Sequence, residues 1–347
     1  MRLATKSLRS PELLARIGAI AGDTLAGYMT YTAAETAFHA SAGVRDLVLA
    51  YPTVQPGDAA LIARANRTAT AAIVVDEVAQ LPVLAAAAAA EGTRIPVVLD
   101  VDTSWRPVRG VHVGVRRSPL REPAAVVALA RAVVAHPNLA FHGVMGYEAQ
   151  LAGLSDRSHA IRALKRGSEP AVIALRARVV SALRDAGLPA RLVNGGGTGS
   201  VDWSSADPSL TELTIGSGFV CSHLFDHYRG LALEPAIAFA LQVVRRPSHG
   251  IATCHGGGWI ASGQPGPDRL PIPAWPHGCA LLSREGAGEV QTPVAVTAEL
   301  ALGDPIFFRP AKAGELAEHV AAYLLVRGDR VIGRASTYRG LGHVFLG

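Results

Sequence analysis

Residues 169–200 read EPAVIALRARVVSALRDAGLPARLVNGGGTGS, and they hold the repeating unit of the fold. Val172, Leu175, Val179 and Leu183 recur every three or four residues, the spacing of one helical face, and Gly187 supplies a stop. A short β-rich run at 191–194 follows and opens directly into a glycine loop. Working outward, the same alternation recurs, with further β-rich runs at 2–5, 25–31, 46–50, 72–76, 97–102, 141–145 and 213–215. Helical patterns lie between them. One covers 11–20, with Ser10 as a cap and Pro11 at the first helical position; another covers 122–135. The alanine-rich run 81–90 is too short to span a bilayer and reads as a buried helix. Eight βα units in series predict a (β/α)8 barrel with its site at the C-terminal ends of the strands.

Past residue 230 the texture changes. Helical periodicity fades, Gly and Pro crowd 256–276, and Gly328-Asp329-Arg330 reads as a hairpin turn. The expectation is an α/β barrel over 1–230 followed by a smaller, mostly β domain over 231–347. With 49% hydrophobic and 18% charged residues, the chain is a well-buried globular protein. Net charge is +5, but the basic residues are scattered, and Arg176, Arg178 and Arg184 read as solvated helix positions. Aromatic residues are 5% of the chain, which leaves few platforms for stacking bases, so no nucleic-acid partner is expected. The N-terminus lacks an apolar signal segment, and Cys221, Cys254 and Cys279 show neither metal spacing nor a disulfide framework. A cytoplasmic protein with no membrane association is expected.

The strongest chemical signal is Asn194-Gly195-Gly196-Gly197-Thr198-Gly199-Ser200, where backbone N–H groups can converge on an anion and two hydroxyls can assist. It lacks the Lys of a Walker A loop and does not open a first βαβ unit. Gly216-Ser217 closes the eighth strand, and the loops after strands seven and eight of such barrels are a common phosphate site. Lys6 ends the first strand and should project into the same mouth, where burial would disfavour its charged form. Position alone leaves a surface lysine as the rival reading.

Ala4-Thr5-Lys6-Ser7, followed by Pro11-Glu12-Leu13, resembles the Schiff-base segment of D-threonine aldolases and D-serine dehydratases, which are alanine-racemase-like (fold type III) pyridoxal 5′-phosphate (PLP) enzymes. The similarity continues in order through Ala50-Tyr51-Pro52, Val101-Asp102, Gly143-Val144-Met145-Gly146-Tyr147-Glu148, Gly195-Gly196-Gly197-Thr198-Gly199 and Gly216-Ser217. The segments 286–292 and 309–316 resemble a bacterial amino acid deaminase/aldolase branch. The resemblance implies that Lys6 carries the cofactor as a Schiff base and acts as the base at the substrate α-carbon. It implies that Gly196, Gly197, Thr198, Gly216 and Ser217 hold the phosphate, and that Tyr147 lies near the pyridine ring. Arg106 and Arg109 compete for the ring oxygen, with Arg109 preferred because it precedes a glycine. Asp226 and Tyr228 match positions where the family often has an Asp and a Tyr, although helix-terminal structure explains them equally well.

The activity so implied is a lyase acting on D-3-hydroxy-amino acids, by retro-aldol cleavage or by dehydration and deamination, in a homodimer. The alternatives are an amino-acid racemase, with Tyr323 or Tyr338 as a second base, and a PLP-binding carrier without turnover. Two departures stand out. Family members bind a divalent metal through a His-x-Cys or His-x-Asp pair, and the matching stretch here is Lys312-Ala313-Gly314, which supplies no ligand. Lys312 is either an electrostatic replacement for the cation or a surface lysine. Cys254-His255 and His277 are alternative ligands, but neighbours on a strand face opposite sides. The family also has several dozen residues before the lysine strand, so either a misassigned start or a shortened protein is expected.

Overall fold

The computed structural model describes residues 1–346. The chain divides into two compact units. The first comprises Met1–Lys6, Pro11–Gly216 and a C-terminal segment from His343. It is a closed barrel of parallel strands β1 (Arg2–Ala4), β2 (Gly27–Thr30), β3 (Asp46–Leu49), β4 (Thr70–Val75), β5 (Ile95–Asp100), β6 (Leu139–Met145), β7 (Leu192–Gly195) and β8 (Glu212–Ile215), in sequence order around the ring. The helices are α1 (Pro11–Ala21), α2 (Ala33–Ser41), α3 (Pro56–Ala65), α4 (Leu81–Glu91), α5 (Pro123–Ala135), the short α6 (Ala149–Ala152), α7 (His159–Asp185) and the short α8 (Val201–Ser204).

Strand side chains alternate between two environments. Ile73, Val75, Val97 and Leu99 face outward and pack with Leu84, Ala88, Val126 and Leu129 of the helices. Val48, Ala72, Val74, Val98, Met145 and Leu192 fill the interior, where each buried Val or Leu contributes roughly 1.5–3 kcal/mol. The floor is charged: Arg2 Nε donates to Glu212 Oε1 at 2.6 Å and its Nη1 to Asp46 Oδ1 at 2.8 Å, with the guanidinium fully enclosed. Helix α7 begins ten residues before the periodic stretch that marked it, and it carries Pro170 in its interior. It stops where expected, at Gly187 (φ +76°).

The second unit comprises Ser7–Ser10 and Ser217–Gly342. Its strands are β9 (Phe239–Ser248), β10 (Ile251–His255), β11 (Ile272–Trp275), β12 (Cys279–Leu281), β13 (Gln291–Val296) and β14 (Pro305–Arg309). They form an antiparallel sheet in the order β11-β14-β9-β10-β13-β12. The single turn α9 (Ala313–Leu316) precedes a separate hairpin, β15 (Ala322–Arg327) and β16 (Arg330–Ser336), joined at Gly328-Asp329. The main segment of this unit begins at Ser217 rather than at residue 231, because 217–230 bond within it. The His223 N–H donates to the Pro310 carbonyl at 3.2 Å, and Arg309 holds Asp226 through two bonds of 2.7 Å. Asp226 is thus a structural partner of Arg309, and Tyr228 stacks on Phe225.

Candidate active site

The C-terminal ends of the barrel strands meet at one mouth, and several deliver polar side chains there. Lys6 stands just past β1 in the turn Thr5–Ser7. Thr5 is buried, and its hydroxyl donates to the Met29 carbonyl at 3.0 Å, which fixes that turn on β2. The Lys6 ammonium donates to the Tyr51 hydroxyl, beyond β3, at 3.3 Å. Lys6 is exposed, not buried as its position suggested.

Tyr147 stands two residues past β6 with its ring half-buried. Burial pushes the phenol above its ordinary range, the Glu148 charge adds to this, and Arg117 opposes it. The Arg117 guanidinium lies over the Tyr147 ring, 5.4 Å from its centroid. A β-carbon added at Gly197 would come within 3.4 Å of that ring and 3.0 Å of Ala152 Cβ. Asp100 closes β5. The β4–β5 register pairs Val74 with Val98 and Val75 with Leu99, so Asp76 and Asp100 come next on the interior face. Burial and the like charge of Asp76 push the Asp100 carboxyl up to about 7, against the pull of Arg117. Asp100, Arg117, Ser118 and Tyr147 line a common cleft.

The glycine loop after β7 has a division of labour. Gly195 leaves room for Arg176, whose Nη2 would lie 2.8 Å from an added β-carbon. Gly196 has φ +79°, a left-handed backbone that favours glycine, and its N–H donates to Glu148 Oε1 at 2.8 Å. Among the described residues the Gly197 and Gly199 amides donate to no protein acceptor. Gly197, Gly199 and the buried Thr198 therefore fit an anion, whereas the Gly196 amide, expected to contribute, is already committed.

The other expected residues divide. Gly216 follows β8, next to β7 in the ring. Ser217 opens the second unit, with its hydroxyl 3.2 Å from that of Ser7. Arg106 is turned away to Asp102, 2.5 Å from its carboxylate. Arg109, expected at the ring oxygen, is exposed in the loop after β5, and Arg117, further along that loop, lies over the Tyr147 ring. The loop folds back through the Trp105–Val113 bridge, so its later arginine reaches the mouth.

The alanine racemase N-terminal domain family matches residues 8–219 of this chain. The chain belongs to that family. Among characterised relatives of this family member are 3-hydroxy-D-aspartate aldolase of Paracoccus denitrificans (strain Pd 1222), 30% identical over 51% of this chain and 42% of the relative. D-threonine aldolase of an Arthrobacter species is 26% identical over 62% of this chain and 52% of the relative. The aligned region thus spans about half the length of these relatives. In fold the family member is similar to D-threonine aldolase from Filomicrobium marinum, with a TM-score of 0.83 at 21% identity over 98% of this chain and 87% of that one. It is also similar to D-threo-3-hydroxyaspartate dehydratase from Delftia sp. HT23, with a TM-score of 0.79 at 20% identity over 97% and 89%.

A divalent metal does not fit the stretch where the resemblance would place it. Lys312 Nζ donates to the carbonyl and hydroxyl oxygens of Ser262 at 2.7 and 2.9 Å. Cys254 is fully buried, its thiol pushed up to about 11 by burial, while its neighbour His255 is exposed. Among the described residues no group of three or more His, Cys, Asp or Glu is arranged to hold a metal ion. Nor is any helix there long and apolar enough to cross a membrane.

Sequence reasoning missed Arg117, Asp100 and the buried Arg176. Arg176 had a legible signal: with Val172, Val179 and Leu183 it shares the apolar face of α7, a position a solvated arginine does not take.

Proposed function

We propose that the protein is a PLP-dependent lyase that cleaves or dehydrates D-3-hydroxy-amino acids, with the cofactor held on Lys6. The carrying observation is the arrangement of the chain's three lysines, Lys6, Lys165 and Lys312. Lys165 pairs with Asp156 at 2.8 Å and Lys312 is bonded to Ser262, whereas Lys6 stands at the barrel mouth that also bears Tyr147 and the glycine loop. The names of the relatives support the substrate class.

When bound, the cofactor supplies an electron sink for the pair released at the substrate α-carbon. The protein supplies the rest. Gly197, Thr198 and Gly199 would hold the phosphate, and Tyr147 and Arg117 would flank the ring. Lys6 would hold the cofactor, and its amine is the group placed to move a proton at the α-carbon, with the Tyr51 hydroxyl as its hydrogen-bond partner. The racemase reading draws no support from Tyr323, whose hydroxyl donates to the Leu8 carbonyl at 3.1 Å and is held protonated by burial. A cytoplasmic homodimer is part of the proposal, on the family resemblance. The test is turnover of D-threonine, D-serine and D-3-hydroxyaspartate by PLP-loaded protein. Release of glycine or glyoxylate marks cleavage, a keto acid and ammonia mark dehydration, and inertness toward all three refutes the proposal.

A further inference from the structure

Behind the glycine loop lies an ion network that takes no direct part in the chemistry described above. Glu148, next in sequence to Tyr147, is completely buried. Its Oε1 accepts from the Gly196 N–H at 2.8 Å and from the Ser204 hydroxyl at 3.1 Å; its Oε2 accepts from Arg176 Nη2 at 3.1 Å. Arg176 in turn bonds Asp207, also buried. A carboxylate without access to water persists only when such donors surround it. Burial pushes the Glu148 carboxyl up, and Arg176, Ser204 and the Gly196 amide pull the other way.

The location of this carboxylate matters. It ties the end of β6, where Tyr147 stands, to the turn at Gly196, where the backbone is left-handed. Two residues in sequence, Tyr147 and Glu148, thus touch the glycine loop from both sides: the Tyr147 ring packs on Gly197 and the Glu148 carboxylate takes the amide of Gly196. With the Gly196 N–H turned inward, the amides of Gly197 and Gly199 are the ones left for an anion.

We infer that Glu148 is a positioning residue for cofactor binding: it captures the Gly196 amide and thereby sets the Gly197 and Gly199 amides to receive the phosphate. The inference rests on the proposed cofactor site and adds a residue to it. It also divides the loop into one amide that never meets the ligand and two that do.

The test compares pyridoxal 5′-phosphate with pyridoxal, which lacks the phosphate, by absorbance titration of the apoprotein. In Glu148→Gln one carboxylate oxygen becomes an NH2 donor. The charge-assisted bond to Arg176 keeps the remaining oxygen, so the Gly196 amide meets a donor and the loop is displaced. The expected result is at least about a tenfold loss in affinity for the phosphorylated cofactor, as for a lost charge-assisted bond, with pyridoxal affinity unchanged. Equal loss for both, or no loss for either, overturns the inference. If wild-type protein binds neither compound, the cofactor site itself is refuted, a separate outcome. Residue-resolved hydrogen exchange on wild-type protein gives a second reading that needs no variant. The Gly196 amide should be protected before cofactor is added, and Gly197 and Gly199 should gain protection only with it. A gain at Gly196 equal to theirs overturns the inference.

Discussion

Replacing Arg176 by Met keeps most of the side chain's volume and removes the cation between Glu148 and Asp207. Both carboxylates are fully buried as side chains, so the variant leaves two acidic groups out of water without their shared partner. Removing one member of a buried pair costs about 3–5 kcal/mol. For a unit the size of this barrel each kcal/mol lowers Tm by roughly 2–4 °C, so a fall on the order of 10 °C is expected. The pH dependence has a definite sign. Glu148 already sits above the ordinary carboxylate range through burial, and the loss of Arg176 raises it further. A carboxyl raised in the folded state binds protons that the unfolded chain has released, so stability falls as pH climbs from the ordinary carboxylate range to the folded value. The destabilisation of Arg176→Met should therefore be greater at pH 8 than at pH 5. Urea unfolding at the two pH values measures it. A cost below about 1 kcal/mol, the range of an exposed pair, or a cost independent of pH, refutes the reasoning.

Arg117→Ala should weaken cofactor binding by about tenfold or more, the worth of one charge-assisted hydrogen bond, while Arg109→Ala stays within about twofold; a reversed order in cofactor titrations would return the role to Arg109. The Asp100 carboxyl should titrate near pH 7 in 13C NMR of the apoprotein, and Asp76→Asn should move that midpoint downward by removing the like charge. An Asp100 midpoint in the ordinary carboxylate range contradicts the interior pairing. Prolonged chelation followed by PLP reloading should leave turnover unchanged, since Lys312 is bonded to Ser262 and supplies no ligand. Loss of turnover restored by Mn2+ or Zn2+ contradicts this.

Much of the barrel was legible because its period is strong. All eight β-rich runs correspond to barrel strands with ends shifted by a few residues, since apolar alternation marks a strand's middle better than its last hydrogen bond. The start of α7 was not legible, because 159–168 is polar on most faces and Pro170 reads as a break rather than an interior residue. The division near Ser217 was hidden because it depends on bonds such as Arg309–Asp226, made between segments far apart in the chain. At the candidate site, the glycine loop was legible from its place at a strand end, whereas Lys6 and Tyr147 were singled out by the family resemblance; the structure brings all three to one barrel mouth. Arg117 was missed because a loop's path cannot be read from spacing, and Arg109 was the arginine beside a glycine. The three glycines read as one phosphate motif, yet Gly195 and Gly196 serve Arg176 and Glu148, and Gly197 lies against Tyr147.

Borohydride reduction of the PLP-loaded protein, followed by peptide mapping, tests the central claim most directly, because the chain has only three lysines to distinguish. The account predicts a stoichiometric pyridoxyl adduct on Lys6, absent from Lys6→Ala. An adduct on Lys165 or Lys312, or no adduct in protein saturated with cofactor, would contradict it.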